Sequence, residues 1–143
     1  LESEFLKVRD LRWALAEHGV DLFCLQGYVT IYLEDDPEFP IDVLPPVVEV
    51  SKEANGGTYN IINDGMHRCF LARAELQPLQ VVRVRGCQYP YYAYPLVNGW
   101  DDVELVSTMP GIKKYHRISD YKSLYRNFES AFQHVGGPRG KDK

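Results

Sequence analysis

The sequence predicts an α+β fold. Three observations carry that expectation: apolar residues recur at helical spacing near both ends of the chain, β-branched and aromatic runs lie between them, and an Asp-Gly break at Asp64-Gly65 divides a strand pattern from a helix pattern. The 143 residues are 45% hydrophobic, enough apolar surface for one core of ordinary domain size. Residues 1–135 read as one domain and 136–143 as a mobile polar tail.

Taken in order, Glu4–His18 places Phe5, Val8, Leu11 and Leu15 on one face of a helix, with Gly19 as its stop. Leu22–Leu33 is β-branched and aromatic and reads as extended, as two short strands around Gly27. Glu34–Pro40 reads as an acidic turn or loop. Pro45 and Pro46 exclude a helix and predict an edge strand, or a linker leading into one. Asn55-Gly56-Gly57 is a turn signal that predicts a hairpin between Val47–Val50 and Thr58–Ile62. Thr58–Asn63 reads as a buried strand and Met66–Leu76 as a helix capped by Asp64 or Gly65. With Pro78 ending that helix and Val81–Val84 as the next strand, a βαβ-like unit results. Tyr89–Pro95 reads as an irregular packed loop. Ser119–Gln133 reads as a helix whose apolar stripe is Tyr121, Leu124, Tyr125, Phe128 and Phe132.

Composition excludes several classes of function. No apolar run approaches the ~20 residues a membrane span requires. Three cysteines (Cys24, Cys69, Cys87) without a CxxC spacing argue against a disulfide framework and a structural zinc site. No basic-then-apolar leader opens the sequence, so a cytoplasmic setting is expected. The net charge of −4 gives no global field for nucleic acid, so any phosphate must be held by a local site.

Such a site is expected in Ile61-Ile62-Asn63-Asp64-Gly65-Met66-His67-Arg68. A strand feeds a tight turn and a helix begins at once. The unpaired N–H groups of a helix start, at the positive end of its dipole, attract anions. His67 and Arg68 occupy the first turn, where cations are unfavourable unless an anion sits among them. A phosphate there would receive backbone N–H bonds, an imidazole and an Arg fork. The same residues admit a purely structural reading, in which Asp64 caps the helix and pairs with Arg68 while His67 faces solvent.

With its flanks, this stretch resembles the signature of the ParB/sulfiredoxin superfamily, a strand ending in an Asp-Gly-x-His-Arg type turn followed by a helix. Leu44-Pro45-Pro46-Val47-Val48 and Leu79–Val84 lie where that family has its flanking strands, so the resemblance is carried by residues 41–86. It implies a small mixed sheet flanked by helices and a turn that binds nucleotide phosphates. Sulfiredoxins place a nucleophilic cysteine in the turn where this chain has Met66, which cannot form a thiolate, so sulfinic acid reduction is disfavoured. Cys69 reads instead as a buried small hydrophobe. The Asp-Gly-x-His-Arg form is nearest to the small-molecule kinase and ParB-like nuclease branches.

The resemblance therefore implies phosphoryl transfer to a small molecule with ATP or ADP, with CTP as another candidate nucleotide and Mg²⁺ as the metal. A ParB-like nuclease or DNA-associated protein and a non-catalytic nucleotide-binding regulator are the alternatives; nucleic acid is not favoured as a partner. In that reading Asp64, Gly65, Met66, His67 and Arg68 bind phosphate, and Asp64 also touches the metal. Glu34, within the acidic cluster Glu34, Asp35, Asp36 and Glu38, is the candidate base, as family kinases use an upstream glutamate. His67 is the second catalytic candidate. The basic run Lys113-Lys114-Tyr115-His116-Arg117 offers Lys113, Lys114 and Arg117 as further phosphate contacts, although a solvated basic loop explains it as well.

Overall fold

The computed structural model describes residues 1–86, 94–109 and 111. The helix expected over Ser119–Gln133, Lys113, Lys114 and Arg117, Cys87, and Tyr89, Tyr91 and Tyr92 lie outside the described residues.

Helix α1 (Glu2–Glu17) forms where the apolar spacing requires it. Its end is tied by Gly19 N–H to Ala16 O at 3.0 Å and Val20 N–H to Leu15 O at 2.9 Å, the paired bonds of a Schellman stop. Phe5, Val8, Leu11 and Leu15 pack on a core of Leu22, Phe23, Leu25, Val43, Leu71 and Ala72.

The segment after α1 corrects one expectation. Only Val29–Leu33 is a strand, β1, and residues 22–27 form bends rather than a strand. Asp21 starts this path: its Oδ1 accepts the Phe23 N–H at 2.9 Å, and its carbonyl accepts the Cys24 N–H at 3.0 Å. An Asx turn of this kind competes with extended backbone. The apolar residues of the segment signalled burial, since Leu22, Phe23 and Leu25 are all buried, and not strand.

Strand β2 (Asp36–Val43) pairs antiparallel with β1, from Val29 opposite Val43 to Leu33 opposite Asp36. The acidic loop expected over Glu34–Pro40 thus shrinks to a turn at Glu34 and Asp35. Pro37 and Pro40 are tolerated in β2 because each strand of a two-stranded sheet has an edge that makes no ladder bonds.

Leu44–Pro46 lead into β3 (Val47–Lys52), which is the centre of a second sheet and not its edge. The order is β4-β3-β5, with β4 Thr58–Asp64 and β5 Val82–Arg85. The prolines do not disrupt this ladder because both precede it; the Pro46 carbonyl accepts the Val82 N–H at 2.8 Å. The β3–β4 hairpin turns on the expected residues, with Gly57 N–H donating to Asn55 Oδ1 at 2.8 Å and Glu53 N–H to Gly57 O at 2.8 Å.

Helix α2 (Met66–Ala74) follows β4 directly and ends two residues earlier than expected. Strand β5 then crosses to the far side of β3 and runs parallel to β3. Since β3 and β4 are antiparallel, β4-α2-β5 is not a parallel βαβ unit. The described residues form an α+β fold, a three-stranded mixed sheet and a two-stranded sheet with two α-helices and a short 3-10 helix at Gly99–Asp102, consistent with the ParB/sulfiredoxin type. Among the described residues no helix is long and apolar enough to cross a membrane.

Candidate functional site

The β4–α2 junction concentrates the unusual features of the chain. Gly65 caps α2 at φ 84°, in the left-handed region. A Cβ there would stand 2.7 Å from Pro46 Cβ and 3.0 Å from Arg68 Nη2, so glycine is required twice, by conformation and by space. The first helical bond runs from Cys69 N–H to Gly65 O at 2.9 Å. The amides of Met66, His67 and Arg68 are therefore the opening donors of the helix. Among the described residues no side chain caps them, and the first turn contains no acidic residue. Met66 is exposed and His67 half-buried.

Arg68 occupies a different place from the one its position in the motif implies. Its residue is 7% exposed, and it donates from Nη1 to the Leu44 carbonyl and from Nη2 to Asp64 Oδ2 at 3.2 Å. The guanidinium lies back against the turn, joining the β2–β3 connector to the β4–α2 junction. The Asp64–Arg68 pairing matches the structural reading of the motif, whereas the Asp64 side chain makes no cap bond. Arg68 contributes positive charge beneath the helix start while also holding the fold.

His67 is set at the first turn of α2, close enough to Glu4 of α1 to feel its charge. Burial pushes its imidazole below the ordinary histidine range, and the Glu4 carboxylate pulls weakly the other way. It is neutral at neutral pH and can accept a proton. Burial also pushes the Cys69 thiol up to about 11, which leaves it protonated and unreactive.

Glu34 is not brought to this junction. It sits exposed in the β1–β2 turn, and extended β2, at about 3.3 Å per residue, separates it by roughly 25 Å from Leu44, where Arg68 docks. The rest of the acidic cluster stays with Glu34 at this end of the sheet, with Asp35 in the turn and Asp36 and Glu38 at the start of β2. Among the described residues no three or more His, Cys, Asp or Glu side chains are grouped to hold a metal. Two open clefts lie elsewhere. One, of about 320 Å³, is lined by Asp21, Cys24 and Gln26 among others; the other, of about 360 Å³, is lined by Glu53, Asn55, Tyr59 and Tyr94 among others.

Besides Ser51, two buried polar residues were given no role by the sequence reading. Glu49, 2% exposed, is in the middle of central strand β3. Asn63, 8% exposed, has a side-chain oxygen, Oδ1, with no hydrogen-bond partner. Both had a signal: each is a polar residue directly beside β-branched neighbours, in Val47-Val48-Glu49-Val50 and Ile61-Ile62-Asn63.

A family model described as the ParB CE domain matches residues 1–104, a span that takes in both helices and both sheets. No curated protein and no solved structure matches the chain. The family match covers well over half of the 143 residues and includes the whole β4–α2 junction. The turn motif, the α+β architecture and this match agree, and the chain belongs to the ParB CE domain family.

Proposed function

We propose that this domain binds the phosphates of a nucleotide at the start of α2 and uses the nucleotide for phosphoryl transfer to a small molecule. One observation carries the reading: α2 opens on a left-handed glycine, with no side-chain cap and no acid in its first turn, above a buried guanidinium. A helix start without carboxylates favours an anion by its dipole, and the opening amide donors give that anion direction. Arg68 acts as fixed positive charge and not as a mobile fork. Asp64 is engaged through Oδ2, and its side chain is 26% exposed. Asp64 is the residue that would hold a Mg²⁺ brought with the nucleotide, and such an ion would supply charge neutralisation at the transferring group. Neutral His67, at the first turn, is the base candidate nearest the proposed phosphate; Glu34 is too distant for that role.

Thermal melting and calorimetry with ATP, ADP, CTP, GTP and inorganic phosphate, with and without Mg²⁺, test the binding. A nucleotide at 100 times its dissociation constant stabilises the fold by about 2.7 kcal/mol, which raises the melting temperature by several degrees. Inorganic phosphate should compete with it. Folded protein that shows neither a shift nor heat with any of these ligands would overturn the reading. Binding without phosphate release or transfer to any small-molecule hydroxyl leaves a regulatory module in place of a kinase.

A further inference from the structure

The β4-β3-β5 sheet turns one face into the protein and one outward. Glu49 pairs in register with Ile61 and Ser51 with Tyr59, and Val47, Glu49, Ser51 and Ile61 are all buried. The alternate residues make the other face. There Val48 lies between Ile62 and Arg83, Val50 between Asn60 and Arg85, and Lys52 beside Thr58. Val48, Val50 and Ile62 are half-buried and belong to neither hydrophobic core, whereas Lys52, Arg83 and Arg85 are exposed. The face thus has an apolar centre, three cations around it and no carboxylate, on a chain whose net charge is −4.

The opposite charge stands at the tip of the β1–β2 hairpin. Glu34 and Asp35 form its turn, Asp36 and Glu38 open β2, and all four are exposed. Tyr32 and Leu33, just before the turn, are 66% and 43% exposed. Among the described residues none of these four acids and none of the three cations has an ion pair. Arginines on an edge strand guard it against pairing with another strand, and hairpin turns are ordinarily polar. Those rules account for Arg83, Arg85 and the turn itself. They do not account for Lys52 on the central strand, for a face without one carboxylate, or for Tyr32 and Leu33 exposed beside the acids.

We propose that this sheet face is an interface for a second copy of the chain: the acidic hairpin tip of one copy docks on the basic sheet face of the next. Tyr32 and Leu33 cover Val48, Val50 and Ile62, while Glu34, Asp35, Asp36 and Glu38 meet Lys52, Arg83 and Arg85. An apolar centre within a charged rim is the anatomy of a specific interface, and opposite charge on the two patches sets which surfaces meet. A single-stranded nucleic acid fits less well, since the face offers no aromatic ring for base stacking and the chain as a whole is acidic. The contact uses a different patch on each copy, so copies join head to tail into a ring or an open chain.

The test is sedimentation velocity of the full chain at low salt and rising concentration, with two charge-reversed variants. One carries Arg83→Glu and Arg85→Glu on the sheet face, the other Asp36→Lys and Glu38→Lys at the hairpin tip. Wild type should self-associate, and each variant alone should do so at least about tenfold more weakly, the effect of setting like charges against each other. An equimolar mixture of the two variants should associate again, because each supplies the patch that the other has lost. Arg83→Gln with Arg85→Gln, which introduces no acid, should weaken association in the same direction and decides the matter should a reversed variant fail to fold. Wild type that stays monomeric up to its solubility limit, folded variants that associate as wild type does, or a mixture that stays monomeric would each overturn the proposal. Monomeric wild type that binds single-stranded DNA or polyglutamate through Arg83 and Arg85 would give the face a different partner and overturn it equally.

Discussion

At the scale of single residues, Arg68 shows how one side chain can serve fold and site together. Read in sequence, it is either a phosphate fork or the structural partner of Asp64. In the structure it is buried and bonded to the Leu44 carbonyl and to Asp64. Arg68→Ala should therefore destabilise the protein by about 1–3 kcal/mol, because it leaves a buried carbonyl unsatisfied and a part-exposed carboxylate alone. Denaturant unfolding measures this, and an unchanged midpoint would show the guanidinium to be dispensable to the fold. His67 makes a prediction in pH. Its folded-state pKa is depressed by burial, while the unfolded chain titrates near 6.5. The stability it contributes is thus complete above about pH 6.5 and is lost as pH falls toward the folded value. Melting temperatures from pH 7.5 to 5.5 should fall more steeply for wild type than for His67→Gln; parallel curves would show that His67 does not titrate differently on folding.

At the scale of elements, the two turns that bracket β4 differ in what they demand of glycine. Gly56, in the β3–β4 hairpin, has φ 82° and open space around it. Gly65 has nearly the same φ, but Pro46 occupies the position a side chain would need. Gly56→Ala should cost about 1–2 kcal/mol, the strain of a left-handed residue. Gly65→Ala should cost roughly 3 kcal/mol, as overlap with Pro46 adds a packing term of about 1–3 kcal/mol. Parallel denaturation of the two variants decides this, and equal losses would show that the Pro46 contact relaxes freely. The Leu44–Pro46 connector is thus part of the candidate site: Pro46 packs on Gly65 and Leu44 holds Arg68.

At the scale of the whole molecule, α1 and α2 close one core over the β1–β2 sheet and the bent segment after α1, while Leu44, Val47, Val82 and Val84 form a second. The Arg12–Glu75 ion pair, with Arg12 stacked 3.9 Å over Phe23, ties α1 to the end of α2. Phe5, near the start of α1, meets Phe70, in the middle of α2, edge-on at 5.4 Å. These contacts orient α2 from outside the motif, so the start of the helix is positioned by parts of the chain distant in sequence.

Local physics determined much of this protein in advance. The Schellman stop at Gly19, the Asn55-Gly56-Gly57 hairpin and the strand-to-helix break at Gly65 all follow from residues within a few positions of one another, and each was legible. The apolar spacing of α1 likewise named the residues that meet the core. What tertiary structure decided was where long-range partners lie. Leu22, Phe23 and Leu25 are buried without being a strand because Asp21 bends the backbone before a ladder can form. β3 is central because β5 returns along its far side, which no pattern within β3 specifies. Arg68 turns inward because a carbonyl 24 positions earlier waits there, and Glu34 falls away from the site because β2 is extended. Hydrophobic period and turn chemistry act over a few residues and can be read along the chain; strand order, ion-pair choice and the burial of Asn63 depend on surfaces that meet only after the chain has closed on itself.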